Sequence, residues 1–241
     1  MTLKSDIGVI GGMGPLASAA FVRSLYGMYQ GQLEQSLPSV TLYSDPSFAD
    51  RTATFLGGGD FSPMLRKLED KIRKMLADGM ERIVICCMTA HYLVPMLPLE
   101  LRQHIVSLVD IAVEELHRTR KRCLIACTTG ATKLRIFQDN PEWYRAAPFA
   151  VFPTDAEQEQ LHTGIYRLKR EHITEPLAEI VAFIAAAHRV EAILAGCTEL
   201  HLLSPLHAGS NRLNQTYDFL DPLTAVARLW MEEEHASEVY S

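Results

Sequence analysis

The stretch Ile83-Val84-Ile85-Cys86-Cys87-Met88-Thr89-Ala90-His91 runs as an apolar strand into a thiol followed by small polar groups. A short, continuous apolar run that ends this way reads as a strand buried on both faces of a parallel sheet. A second stretch repeats the design. Ala192-Ile193-Leu194-Ala195-Gly196-Cys197-Thr198-Glu199-Leu200-His201 is again an apolar run that delivers a Cys with a Thr close behind and a His four residues further on.

Outward from these two strand ends, the chain alternates strand and helix signals. Asp6-Ile7-Gly8-Val9-Ile10 reads as a first strand, and Gly11-Gly12-Met13-Gly14-Pro15 as a tight turn into a helix with Pro at its first position. Such a turn exposes backbone N–H groups at a helix N-terminus, where an anion can bind. The nucleotide fingerprints require a fuller glycine spacing or Gly-Lys-Ser/Thr, and neither is met. Ser39 to Tyr43 alternates like a strand and runs into Ser44-Asp45-Pro46 and Asp50-Arg51, where a guanidinium can fork onto a carboxylate. Gly57-Gly58-Gly59-Asp60 has the length and composition of a lid loop. Cys123 to Cys127 begins a second strand, turn and helix unit, with Thr128-Thr129-Gly130 in the place of the first glycine turn and Lys133 a few residues on. Thr154 or Asp155 opens a helix running toward Lys169.

The expected fold is therefore α/β, with two pseudo-symmetric lobes, each a mostly parallel sheet flanked by helices. Pro95 and Pro98 mark the break, which places residues 1–98 plus about 208–241 in the first lobe and about 99–207 in the second. Ligands of such sheets bind at the carboxyl ends of strands, where the glycine turn, Arg51, Cys87, Thr128 and Cys197 all fall, so one site in the cleft between the lobes is expected.

Composition narrows the function. The 241 residues are 48% apolar and 22% charged, with a formal net charge of −6 and no dense run of Lys or Arg, which argues against nucleic acid as a partner. No apolar run reaches the ~18 residues a membrane span needs, and Met1 to Asp6 lacks a signal-peptide pattern, so a cytoplasmic protein is expected. Five cysteines, an odd number without metal-type spacing, fit a reducing compartment better than a disulfide framework. Cys86, Cys123 and Cys127 read as small buried hydrophobes. Cys87 and Cys197 stand apart because their polar context is repeated.

These motifs resemble the aspartate/glutamate racemase superfamily, in its aspartate racemase branch. The resemblance rests on Gly11 to Pro15, Ser44-Asp45-Pro46 with Asp50-Arg51, Cys87-Met88-Thr89-Ala90-His91, Thr128-Thr129-Gly130 and Gly196-Cys197-Thr198-Glu199-Leu200, in family order. It implies an isomerase without pyridoxal phosphate, metal or other cofactor, in which Cys87 and Cys197 flank the α-carbon of a small acidic amino acid. One removes a proton as thiolate and the other returns one as thiol. The substrate contacts it implies are Gly12, Met13, Arg51, Met88, Thr89, Thr128, Thr129, Lys169, Thr198 and Glu199, with Lys169 on the substrate side chain, and the assembly expected is a homodimer. Met88 departs from the family, which usually has Asn there, so restoring Asn is expected to be tolerated or to improve turnover of aspartate. The alternatives are glutamate or another acidic substrate, or a racemase-like binding or redox-sensing protein that keeps its thiols without turnover.

Overall fold

Strand β1 (Ile7–Gly11) is buried along its whole length, as its unbroken apolar character requires of a central parallel strand. In the computed structural model, which describes residues 6–29, 35, 37–208 and 212–239, it is followed by α1 (Pro15–Gly27), β2 (Val40–Ser44), α2 (Arg51–Leu56), α3 (Ser62–Ala77), β3 (Arg82–Ile85), a 3-10 helix over Met88–Met96, α4 (Leu99–Arg102), β4 (Ile105–Val106) and α5 (Leu108–Thr119). The second half runs β5 (Cys123–Ala126), α6 (Thr129–Lys133), α7 (Trp143–Ala146), a 3-10 turn over Ala147–Phe149, β6 (Ala150–Val151), α8 (Asp155–Glu171), α9 (Glu175–Ala187), β7 (Ala192–Ala195), a 3-10 helix over Thr198–Leu203, α10 (Pro205–Ala208), α11 (Arg212–Thr216), β8 (Asp218–Leu220) and α12 (Pro222–Val239). Residues 1–5, read above for a signal peptide, and 209–211, 240 and 241 of the stretch assigned to the first lobe lie outside the described residues.

The strands form two four-stranded parallel sheets of the same order, β2-β1-β3-β4 and β6-β5-β7-β8. In the first, Val9 pairs with Leu42 and Val84, and Val84 in turn with Val106. In the second, Leu124 pairs with Val151 and Ile193, and Ile193 with Phe219. The central pair of each sheet therefore carries one glycine or threonine turn and one Cys motif. The first turn needs glycine for two reasons: Gly12 has φ +88°, and a Cβ there would stand 2.3 Å from the Asp45 backbone.

The alternation of side chains along β3 and β7 sorts their residues between cores. Val84, Cys86 and Met88 join Cys123, Ile125, Ala192 and Leu194 in one apolar cluster shared by both sheets, with Phe21, Val113, Phe137 and Trp230. Ile83, Ile85 and Cys87 face a second cluster against α3, and Ile193, Ala195 and Cys197 a third against α8 and α9. Helix α12 packs against α1 and α5, with Trp230 6.2 Å from the Phe21 ring.

Two boundaries differ from the sequence reading. The first sheet does not end near residue 98: beyond Pro98 the short α4 turns the chain back, and Ile105–Val106 adds a fourth strand beside β3. The stretch from about 208 does not return whole to the first lobe either. Its strand Asp218–Leu220 completes the second sheet, and the helix beyond it then packs on α1. Each half needs its own edge strand to cover the central one, and that need overrides the proline break. No helix among the described residues is long and apolar enough to cross a membrane.

Because one apolar cluster serves both sheets, unfolding should be a single transition. Trp230→Ala is expected to cost about 3–5 kcal/mol, with circular dichroism and the fluorescence of the remaining Trp143 still coincident in urea; separate transitions would show independent halves. Met88 is only 1% exposed within the same cluster, so Met88→Asn should lower the urea midpoint by an amount equivalent to about 1–3 kcal/mol for a desolvated amide. An unchanged midpoint would mean that position 88 reaches polar groups.

Candidate active site

The turns beyond β3 and β7 meet across the two lobes through hydrogen bonds made beside the thiols. The Thr198 hydroxyl, next to Cys197, donates to the Cys86 carbonyl at 3.3 Å, and the Thr89 and Thr128 hydroxyls lie 3.1 Å apart. Thr128 also caps α6 by accepting the Ala131 N–H at 3.2 Å. Cys87 and Cys197 thereby lie on adjoining turns, each about 5% exposed.

The two thiols have different surroundings. Beside Cys87 stands Arg51, the first residue of α2, whose N-cap Asp50 accepts the Ala53 N–H at 2.8 Å. Nη1 of Arg51 donates to the Ala49 carbonyl at 2.9 Å, and Nη2 to the Met13 carbonyl at 2.7 Å. The guanidinium is 8% exposed, and its buried Nε–H has no partner. Burial works against its charge, yet Cys87 and Asp50 hold its pKa above the ordinary value. A carboxylate arriving at that free N–H would gain a charge-assisted hydrogen bond that the protein itself does not supply.

Cys197 instead donates its S–H to Oε2 of Glu199 at 2.8 Å. Burial and the Glu199 carboxylate push this thiol well above its ordinary pKa, and Lys169 offsets only part of the effect. Lys169 Nζ lies 3.3 Å from Oε1 of Glu199. Burial lowers the lysine's pKa, but Glu199, Cys197 and Cys87 outweigh it and leave a firmly held ammonium. Glu199 sits so close to the first glycine turn that a Cβ on Gly14 would fall 1.9 Å from its Oε1. Glu199 and Lys169, expected on the substrate, thus have each other and Cys197 as their nearest partners.

Other expected contacts are distributed unevenly. Met13 contributes its carbonyl to Arg51, Met88 lies in the shared apolar cluster, and Lys133 is exposed at the end of α6. The Thr129 N–H donates to Nδ1 of His162 at 3.3 Å. His162 had been missed, as had the pairing of Tyr166 with Asp50: the phenol donates to Oδ2 of Asp50 at 2.6 Å and ties α8 to the N-terminus of α2 across the cleft. Burial and Asp50 push the Tyr166 phenol up to about 12. Burial raises the Asp50 pKa too, but the Ala53 N–H, Tyr166 and Arg51 outweigh it and keep it below the ordinary value. The available signal was helical spacing, since His162, Tyr166 and Lys169 fall at i, i+4 and i+7 on one face of α8. Phe55 against Tyr92, rings 5.0 Å apart, holds α2 on the 3-10 helix beyond Cys87. Among the described residues, no group of three or more His, Cys, Asp and Glu is placed to hold a metal ion.

The fold has clear relatives among solved structures. An aspartate racemase from Picrophilus torridus superposes with a TM-score of 0.78 at 21% identity, over 96% of this chain and 95% of that one. An aspartate racemase homologue from Pyrococcus horikoshii gives 0.65 at 19% identity, over 96% and 99%. A glutamate racemase from Francisella tularensis, solved with D-glutamate, gives 0.63 at 12% identity, over 98% and 82%. At these identities the likeness concerns the fold. The family is fixed by sequence: residues 10–229 match the model of Asp/Glu/hydantoin racemase. With adjoining Cys turns in two like sheets and a match over nearly its whole length, the chain belongs to the Asp/Glu/hydantoin racemase family, whose members are isomerases that work without pyridoxal phosphate.

Proposed function

We propose that this protein interconverts L- and D-aspartate by two-base proton transfer between Cys87 and Cys197. The observation that carries the reading is the unlike setting of two thiols on adjoining turns, one beside a guanidinium with a free N–H and the other donating to a carboxylate. Cys87 as thiolate, with Arg51 alongside, takes the α-proton from one face. The C–H bond breaks, an S–H bond forms, and the electron pair stays on the α-carbon, delocalised into the α-carboxylate. Cys197 then gives its proton to the opposite face and is left as a thiolate next to Lys169. For the mirror-image substrate the roles reverse: the Cys197 thiolate next to Lys169 takes the α-proton, and Cys87, now a thiol, returns one to the opposite face. Withdrawal of both thiols from bulk water strengthens the fields of Arg51 and Lys169 on the developing charges.

Aspartate is favoured over glutamate by the likeness to the Picrophilus enzyme, whose name is that of an aspartate racemase. A redox sensor is disfavoured, because sensing thiols are exposed and of low pKa, whereas Cys197 is buried and pushed up. A homodimer in the cytoplasm completes the proposal, with five buried, unpaired cysteines supporting the reducing compartment.

Decay of the optical signal of each aspartate enantiomer, with α-hydrogen exchange followed in heavy water, tests the reading. Inert enantiomers of both aspartate and glutamate would reject it. Arg51→Ala should raise KM for aspartate roughly 10-fold to 100-fold, the cost of a charged hydrogen bond, while leaving KM for alanine far less changed; equal effects would make Arg51 structural. Cys87→Ser and Cys197→Ser should each abolish racemisation, and at least one should still exchange the α-hydrogen of a single enantiomer. Near-native racemisation by either variant would refute the two-base assignment.

A further inference from the structure

His91 lies in the 3-10 helix four residues beyond Cys87, and its ring is 5% exposed. Its Nδ1 is 3.0 Å from the Cys87 carbonyl oxygen, and its Nε2 is 3.1 Å from the Leu108 N–H at the start of α5. A carbonyl only accepts and an amide N–H only donates. Both bonds therefore form together only when the imidazole is neutral, with its proton on Nδ1. Burial pushes the ring the same way, below its ordinary pKa, against the pull of the Cys87 carbonyl and of Asp110 on α5.

The second Cys turn has no such brace. His201, at the same offset from Cys197, is held by Asp221 at Nδ1 (2.5 Å) and by Ser24 at Nε2 (2.9 Å), and so ties its 3-10 helix to α1 and to the start of α12. The Cys197 carbonyl accepts the backbone N–H of Leu200 at 3.0 Å, as the Cys87 carbonyl accepts that of Ala90 at 3.1 Å, and the two turns differ in that only His91 adds a ring nitrogen to its carbonyl. The local sequence repeat is thus not a repeat of roles.

We infer that His91 is a positioning residue for Cys87 alone, clamping the carbonyl of the thiol-bearing residue to the N-terminus of α5 and fixing where that sulfur stands relative to the α-carbon. This rests on the racemase reading of the site. Misplacement of a reacting group by about 1 Å can cost on the order of 100-fold in rate, and loss of a clamp on one thiol should raise only the barrier of the transfer that this thiol makes.

The test is kinetic and directional. His91→Asn keeps a donor near the Nδ1 position, whereas His91→Gln reaches the Leu108 N–H but leaves the Cys87 carbonyl with the Ala90 N–H of its own turn and without the tie to α5. His91→Gln should lower kcat by roughly 10-fold to 100-fold, and His91→Asn by less. In His91→Gln the primary isotope effect of α-deuterated aspartate on kcat/KM should grow for the enantiomer deprotonated by Cys87 and shrink for its mirror image, since only one of the two proton transfers has become limiting. That enantiomer is identified by the single-sided exchange of the Cys→Ser variants. Isotope effects that move equally in both directions would reduce His91 to a structural residue. Nitrogen-15 NMR of the wild-type imidazoles keeps the inference open to refutation if the variants fail to fold: at neutral pH His91 should be neutral and protonated at Nδ1, and an imidazolium or an Nε2–H tautomer there would overturn it. Wild-type protein without racemase activity would instead reject the reading of the site and leave the NMR result standing.

Discussion

Successive side chains of a strand point to opposite faces, and in this molecule that parity separates the thiols with a chemical setting from those without one. Along β3 it sends Val84, Cys86 and Met88 into the apolar cluster shared by the sheets, and Ile83, Ile85 and Cys87 the other way. Along β7 the same rule sends Cys197 out of the shared cluster. Cys86 and Cys87 are neighbours of the same chemistry, yet burial above all pushes the Cys86 thiol far up, with the nearby Cys87 and Glu199 adding to it. Cys87 meets Arg51. A slip of one residue in β3 would exchange them.

The cleft concentrates charge that burial disfavours, and each charged group is matched. Arg51 is held by backbone carbonyls, Asp50 by the Ala53 N–H and the Tyr166 phenol, and Lys169 by Glu199. Removing one partner of a buried pair leaves its mate uncompensated, at a cost of about 3–5 kcal/mol. The arrangement therefore fixes geometry more than it adds stability. It also makes the two halves electrostatically unlike, with a cation beside one thiol and a carboxylate on the other, although their backbones follow the same strand order.

Two parallel sheets of one design explain why the chain reads as a repeat, and the shared core explains why the repeat departs from symmetry. Both halves need an edge strand, so β4 and β8 are drawn in from segments that the prolines and the chain terminus had seemed to assign elsewhere. Helix α12 then crosses to α1 and α5. The inter-lobe bonds Thr198 to Cys86, Thr89 to Thr128 and Tyr166 to Asp50 form at that junction and have no counterpart within a single lobe.

Local chemistry was legible in the sequence because it acts over a few residues. The buried run of β1, the Pro at the start of α1, the capping box of Thr154 and Glu157 on α8, and the Cys at the end of each central strand all follow from neighbours in the chain. So did the α/β class and the place of Cys87 and Cys197 just beyond two central strands, whereas Arg51, also expected at a strand end, opens α2 seven residues past β2. The sequence did not say what each side chain would face. Lys169 meets Glu199 across 30 positions, Tyr166 meets Asp50 across 116, and Thr198 meets Cys86 across 112. The burial of Met88, the partners of Lys169 and Glu199, and the unlike roles of His91 and His201 were decided when the two sheets packed on one core. Contacts of such separation depend on how the lobes meet, and no local pattern of residues encodes that.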